Sequence, residues 1–133
     1  MDRATIIERY DRASAADDFE TMGSFRHPEW QMTWPQSGET VVGHENYVAM
    51  RTNRPEGGGP RVEPIGHGGS GESWWSEGII HYGDGSRWLG VWIYEFADDL
   101  IRRERVYFGQ PFAPPAWRAR WVERGATPLS PDA

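Results

Sequence analysis

Few of the residues able to do chemistry sit in patterns that specify a reaction. The chain has no cysteine, which removes disulfide frameworks, thiolate zinc sites and thiol nucleophiles together. His27, His44, His67 and His81 show no paired ligand spacing, and there is no His-Glu-x-x-His run, so no metal is expected. Gly66-His67-Gly68-Gly69-Ser70-Gly71 matches G-x-G-x-x-G letter for letter. A dinucleotide site needs a strand before that motif and a helix after it. Here a Pro-containing strand precedes and Trp74-Trp75 open another strand, so the run reads as a loop and no cofactor is expected. On the segment Ser73–Tyr82, period two groups Glu77 and His81 with Trp75 and Ile79. His81 would be a natural proton shuttle near neutral pH, with Glu77 to orient it. At i, i+4 on a strand the two lie ~13 Å apart, too far for a direct pair. The alternative is a histidine in solvent near a hairpin end. Tyr10 falls on the apolar face of a first helix, either to donate to a ligand carbonyl or to serve as a core tyrosine with a satisfied hydroxyl. Arg51 either reaches a site rim to hold an anionic group or stays on an exposed helix face.

The unusual quantity is aromatic. Eight tryptophans, five tyrosines and five phenylalanines occur in 133 residues. They build either a thick aromatic core or a cavity walled with rings. Twenty acids against fourteen bases, all of them arginine, give a net charge of −6, a poor match for a phosphate backbone, so no nucleic-acid partner is expected. No apolar run approaches the ~20 residues that span a bilayer, and no basic-then-apolar segment opens the chain. The expectation is a soluble cytoplasmic protein without a membrane partner. One domain is expected over residues 1–125, with a Pro/Ser-rich tail over 126–133 expected to be disordered.

The elements that must position these residues follow from periodicity. Ile6, Ile7, Tyr10 and Ala13 mark a helix over Thr5–Ser14. Asp17 and Asp18 are capping residues for a second short helix with Phe19 and Met22 inward, ended by Gly23. Trp30–Trp34 alternates as a half-buried strand, and Pro35–Gly38 is turn chemistry. His44–Thr52 reads as a third helix, and Arg54–Pro60 as a flexible loop. Arg61–Ile65 is a short strand, placed at an edge because Pro64 lacks a donor. Ser73–Tyr82 and Arg87–Phe96 flank the hairpin turn Gly83-Asp84-Gly85, and Leu100–Phe108 is the last strand. Pro114 and Pro115 start a final helix with Trp117 and Trp121 on one face. The fold class is α+β: helices on one face of a mainly antiparallel sheet.

Three stretches carry a resemblance: Ile7-Glu8-Arg9-Tyr10, the strand–Gly–Gly–helix run from Trp30 to Gly43, and Phe96–Phe108, which looks like a closing hairpin. Through them the chain resembles the nuclear transport factor 2-like superfamily, and within it the SnoaL-like proteins. The resemblance implies a curved sheet of about four to six strands wrapped around three helices, with a deep pocket at the mouth of the cone. It also implies a homodimer through the outer sheet face. Members include ketosteroid isomerases, polyketide cyclases and limonene epoxide hydrolase, so the fold alone selects no reaction. Tyr10 matches the isomerases' helix-one tyrosine. Their two carboxylates fall on or next to Trp34 and Trp92, and the cyclases' acid near Arg103 or Val106, none of them acidic. The epoxide hydrolase's Asp–Arg–Asp set has no counterpart.

With Phe108 facing the pocket, as the isomerase-like alignment implies, Val106 and Glu104 also point inward. Glu104 would then be a desolvated general acid or base among aromatic rings, or an acid paired with an arginine that anchors the sheet. The same alignment places Trp34, Trp92 and Tyr94 on the wall, with Trp30 and Met32 deeper. Of the adjacent Trp74 and Trp75, only one can line the cavity; Trp75 shares its face with His81. The expected function is a pocket protein for a small hydrophobic molecule, acting as a cofactor-independent isomerase, cyclase or hydrolase on a carbonyl-bearing metabolite. Glu104 would shuttle the proton while Tyr10 or His81 steadied the oxyanion. The alternative is a non-catalytic binding protein whose aromatic pocket takes a hydrophobic or cationic ligand. A third reading gives the outer sheet face to another protein.

Overall fold

The computed structural model describes residues 1–55 and 60–125; the tail over 126–133 lies outside the described residues. Two helices open the chain, α1 (Arg3–Ala15) and α2 (Phe19–Phe25). Asp2 caps α1 by accepting from the Thr5 amide at 2.8 Å, and Asp18 caps α2 by accepting from the Thr21 amide at 3.1 Å. Helix α2 passes through Gly23, where a Cβ would sit 2.7 Å from His44 Nε2, so this glycine permits a close approach rather than a stop. Strand β1 (Arg26–Trp34) follows, then β2 (Glu39–Val42) and α3 (His44–Thr52), with Gly43 at φ 88° making the turn between them. The sheet is completed by β3 (Arg61–Ser70), β4 (Ser73–His81), β5 (Arg87–Ala97) and β6 (Leu100–Gly109). Asp98 and Asp99, both at positive φ, form the β5–β6 turn.

The six strands lie in the order β2-β1-β6-β5-β4-β3. Every pairing is antiparallel except β1 with β6, which run parallel. The sheet is curved and does not close. Register shifts in β1, β3 and β5 contribute to its bending. Ile6, Ile7, Tyr10 and Ala13 of α1, Met22 of α2 and Tyr47 of α3 form one core with Trp30, Met32, Tyr94 and Ile101 of the sheet. Burying these apolar and aromatic groups is the main drive for the helices to cover this face.

Besides Gly23, three further features differ from the sequence reading. The glycine run Gly66–Ser70 is not a loop but the second half of β3, with Gly68 under the Trp75 ring and Gly69 against Trp74. Glycine is needed there because the two indoles approach the backbone too closely for a side chain. Strand β2 was not anticipated; it is four residues long with one buried side chain, too short to show a period. The C-terminal segment Ala116–Trp121 is a 3-10 helix rather than an α-helix, with Trp117 and Trp121 73% and 67% exposed. No helix among the described residues is long and apolar enough to cross a membrane.

Candidate functional site

Pairing register decides which side chains face the helices. Met32 pairs with Glu104, Glu104 with Tyr94, and Tyr94 with Trp74. Paired residues share a face of the sheet, so these four form one row. In the next row Val106 pairs with Trp92 and Trp92 with Ser76. Glu104 therefore points inward, as expected from its spacing to Phe108, and it is 3% exposed.

A charged side chain so buried requires partners. Tyr10 of α1 donates its hydroxyl to Glu104 Oε1 in a very short hydrogen bond. Trp30 Nε1 donates to the same oxygen at 3.0 Å. The Tyr10 oxygen accepts from Arg26 Nε at 2.6 Å. Arg26 Nη1 lies 2.7 Å from His44 Nδ1; a guanidinium only donates, so that ring nitrogen accepts. Burial and the Arg26 charge lower the His44 pKa, which keeps the ring in the neutral form this bond requires. The guanidinium itself lies 3.6 Å from the Trp30 ring centroid and 4.1 Å from that of Tyr47, a cation–π cage built from the protein's own groups. Burial raises the Glu104 pKa, and Arg26, Tyr10 and Trp30 pull against that rise.

A second carboxyl faces the same space. Asp11 Oδ1 accepts from the Tyr94 hydroxyl at 3.0 Å, and that hydroxyl lies 2.8 Å from Ser76 Oγ. Burial pushes the Asp11 pKa up to about 7; bonds from Tyr94 and Ser76 lower it, and the Glu104 charge raises it. Desolvation also holds the Tyr10 and Tyr94 hydroxyls well above their ordinary ionisation range. Asp11 also borders a surface groove between α1 and β3, beside Glu8, Arg12 and His67.

These groups surround an inner chamber of about 40 Å³, lined by Tyr10, Asp11, Arg26, Trp92, Tyr94 and Glu104 among others. That is room for only a few waters, at roughly 10–15 Å³ for one. An adjoining outer chamber of about 170 Å³ carries Trp34, Met50, Trp92, Val106 and Phe108 on its wall. Met32, Tyr47, Val62, Trp92 and Ser14 border both, so the two chambers share a wall.

The structure thus brings Glu104, Tyr10, Met32, Trp34, Trp92, Tyr94, Val106 and Phe108 to one cavity. Three expected residues lie elsewhere. Trp30 is in the core, 1% exposed, bonded to Glu104 rather than lining the space. Trp75 is on the opposite sheet face, 44% exposed. His81 lies at the end of β4 with its Nε2 3.2 Å from Glu63 Oε2, outside both chambers. The two errors on β4 have one cause. Trp74-Trp75 and Ile79-Ile80 put apolar groups on both faces, so period two carries no sign there; pairing with β5 puts Trp74 and Ser76 inside.

Asp11 and Ser76 were missed. On a helix, Asp11 stands about 100° round from Tyr10, at the border of the apolar stripe. A polar pair at Asp11 and Ser14, three residues apart on that border, was the only signal in the sequence. Among the described residues no group of three or more His, Asp or Glu side chains is placed to hold a metal ion.

The geometry has known relatives. A SnoaL-like domain model matches residues 7–104. A nuclear transport factor 2-like protein of unknown function from Burkholderia xenovorans is 32% identical, with 92% of this chain and 94% of that one covered at a TM-score of 0.80. A putative ketosteroid isomerase from Kribbella flavida superposes with a TM-score of 0.82 at 21% identity, covering 94% and 90% of the two chains. An epoxide hydrolase of Mycobacterium tuberculosis, described as similar to limonene epoxide hydrolase, shares the fold at a TM-score of 0.63 and 17% identity over 79% and 80%. No curated protein matches the chain in sequence. The extent of the domain match and the resemblance to the Burkholderia protein together make this chain a member of the SnoaL-like family, in the nuclear transport factor 2-like superfamily.

Proposed function

We propose that this protein is a cofactor-independent acid–base enzyme for a small, hydrophobic, carbonyl-bearing molecule. The observation carrying the proposal is that two carboxyls with raised pKa values, Asp11 and Glu104, line one small chamber. Two mutually repelling acids in a desolvated space favour holding one proton between them, which supplies an acid and a base together. Asp11, poised near neutrality, takes a proton from the carbon beside the carbonyl. Glu104, protonated and held by Tyr10 and Trp30, donates to the carbonyl oxygen as negative charge develops there. Asp11 then returns a proton to carbon while Glu104 takes its proton back from the enol oxygen, and both groups are regenerated. The apolar outer chamber holds the rest of the molecule and excludes water.

The test is deuterium uptake from heavy water into a panel of cyclic ketones and enones, followed by NMR. The proposal expects uptake with the native chain and its loss in Asp11→Asn and Glu104→Gln. A panel member that binds but exchanges no faster than with the double variant would overturn it and leave a non-catalytic binding protein, the reading that the aromatic wall supports by itself.

We also propose a homodimer through the outer sheet face. Trp75, Leu89 and Tyr107 are exposed there, more apolar surface than a solvated sheet face ordinarily shows.

A further inference from the structure

The two chambers differ in charge. Asp11, Glu77 and Glu104 line the inner one beside a single guanidinium, Arg26, while among the described residues no carboxyl lines the outer one. The outer chamber instead carries two guanidinium groups, Arg51 at the end of α3 and Arg54 just beyond it. Arg51 is fixed in place. Its Nη1 donates to the Tyr47 hydroxyl at 2.5 Å, its Nη2 pairs with Asp17, and its side chain is 10% exposed. Its Nε is buried and has no acceptor. Arg54 is half-buried, with its guanidinium 5.2 Å from the Tyr82 ring centroid. Among the described residues it makes no ion pair. Asp17 balances the charge of Arg51, so Arg54 leaves the chamber net positive in a chain whose overall charge is −6.

We propose that the outer chamber binds the carboxylate of a flat apolar acid between Arg51 and Arg54, with its ring system against Trp34, Trp92 and Phe108. This rests on reading the cavity as a small-molecule site, and it adds the ligand's charge and orientation. A guanidinium fork matches a carboxylate in geometry as well as charge, and the pairing strengthens where water is partly excluded. At the far end Arg26 is already matched by the acids beside it, so the inner chamber offers no free cation to a second anion and the end of the ligand that enters it is neutral. The same arginines disfavour a cationic ligand, and the cation–π site among Trp30 and Tyr47 is already filled by Arg26.

Naphthoic acid, its methyl ester and the corresponding alcohol serve as probes, with binding to the full chain followed by calorimetry. The acid is expected to bind at least roughly tenfold more tightly than the ester. That preference should shrink as salt is raised to roughly 0.5 M and vanish in Arg54→Gln, a half-exposed position where folding is not at stake. Equal or tighter binding of the ester, a preference that survives Arg54→Gln, or no binding by any of the three would overturn the proposal. Deuterium uptake reads the other reading separately. Acid preference without uptake defeats the acid–base enzyme alone, and uptake without acid preference defeats this assignment alone.

Discussion

Tyr94 and Asp11 are joined by a hydrogen bond of 3.0 Å although 83 residues separate them in the chain. The bond ties β5 to α1 at the wall of the inner chamber, and the carboxyl it holds ionises at about 7 instead of 3.8. Between those two values the folded chain keeps a proton that the unfolded chain releases. Stability contributed by Asp11 is therefore complete below about pH 4 and falls as pH rises toward 7. From about pH 5 to about pH 8 the decline from this group alone is about 3 kcal/mol. Asp11→Asn should remove most of that slope and leave the variant more stable than the native chain at pH 8. Urea unfolding at the two pH values checks this; an unchanged slope would mean that Asp11 is ionised well below neutrality.

Glu104 accepts two buried hydrogen bonds on one oxygen, which separates its structural role from its chemical one. Glu104→Gln retains a carbonyl oxygen for Tyr10 and Trp30 and should cost about 1 kcal/mol of stability, while lowering proton exchange by roughly 100-fold or more. Glu104→Ala leaves the Tyr10 hydroxyl and the Trp30 indole without their acceptor and Arg26 without the nearby carboxyl, at a cost of about 3–5 kcal/mol. Thermal melts beside the exchange assay distinguish the two. Equal loss of stability in both variants would make Glu104 an anchor only.

His81 lies outside both chambers, against Glu63. His81→Gln is expected to leave proton exchange within about twofold of native, at every pH where the native chain is active. A larger drop in exchange, with the melting temperature unchanged, would return His81 to the mechanism.

How far the sequence revealed this site depends on where each residue lies. The third helix was legible to its ends, because Gly43 precedes its apolar stripe and the Pro/Gly run from Arg54 to Pro60 follows it. Glu104 was legible through the family resemblance, which set Phe108 toward the pocket; period two then carried Val106 and Glu104 inward with it. Trp75 and His81 were misplaced because β4 has apolar residues on both faces, and only its pairing with β5 fixes the sign. Asp11 was not legible as an acid–base group. Its raised pKa comes from burial beneath a sheet whose relevant strand is more than 80 residues away, and a local pattern does not encode that.

Trp92 owes its position to an absence. The cross-strand glycines Gly78 and Gly90 lie beneath its ring, and a Cβ on Gly90 would meet the indole at 2.7 Å. Gly90→Ala should displace the indole toward the cavity at a cost of about 1–3 kcal/mol. Ligand binding should weaken roughly tenfold and the tryptophan emission should shift. Native-like binding and emission would show that the sheet yields instead of the ring.

The outer-face dimer has a direct readout. Light scattering should give twice the chain mass for the native protein and a single chain mass for the paired variant Trp75→Glu, Tyr107→Glu, with secondary structure unchanged by circular dichroism. A native protein of single mass would remove the dimer.

The parallel pairing of β1 with β6 has a consequence for biosynthesis. Met32 emerges from the ribosome early, but its neighbour Glu104 arrives some seventy residues later. Until then Tyr10 and Trp30 lack their acceptor and Arg26 lacks the nearby carboxyl, and the helices have only part of a surface to rest on. A nascent chain that stalls before β6 is therefore expected to lack both the finished sheet and the buried acid.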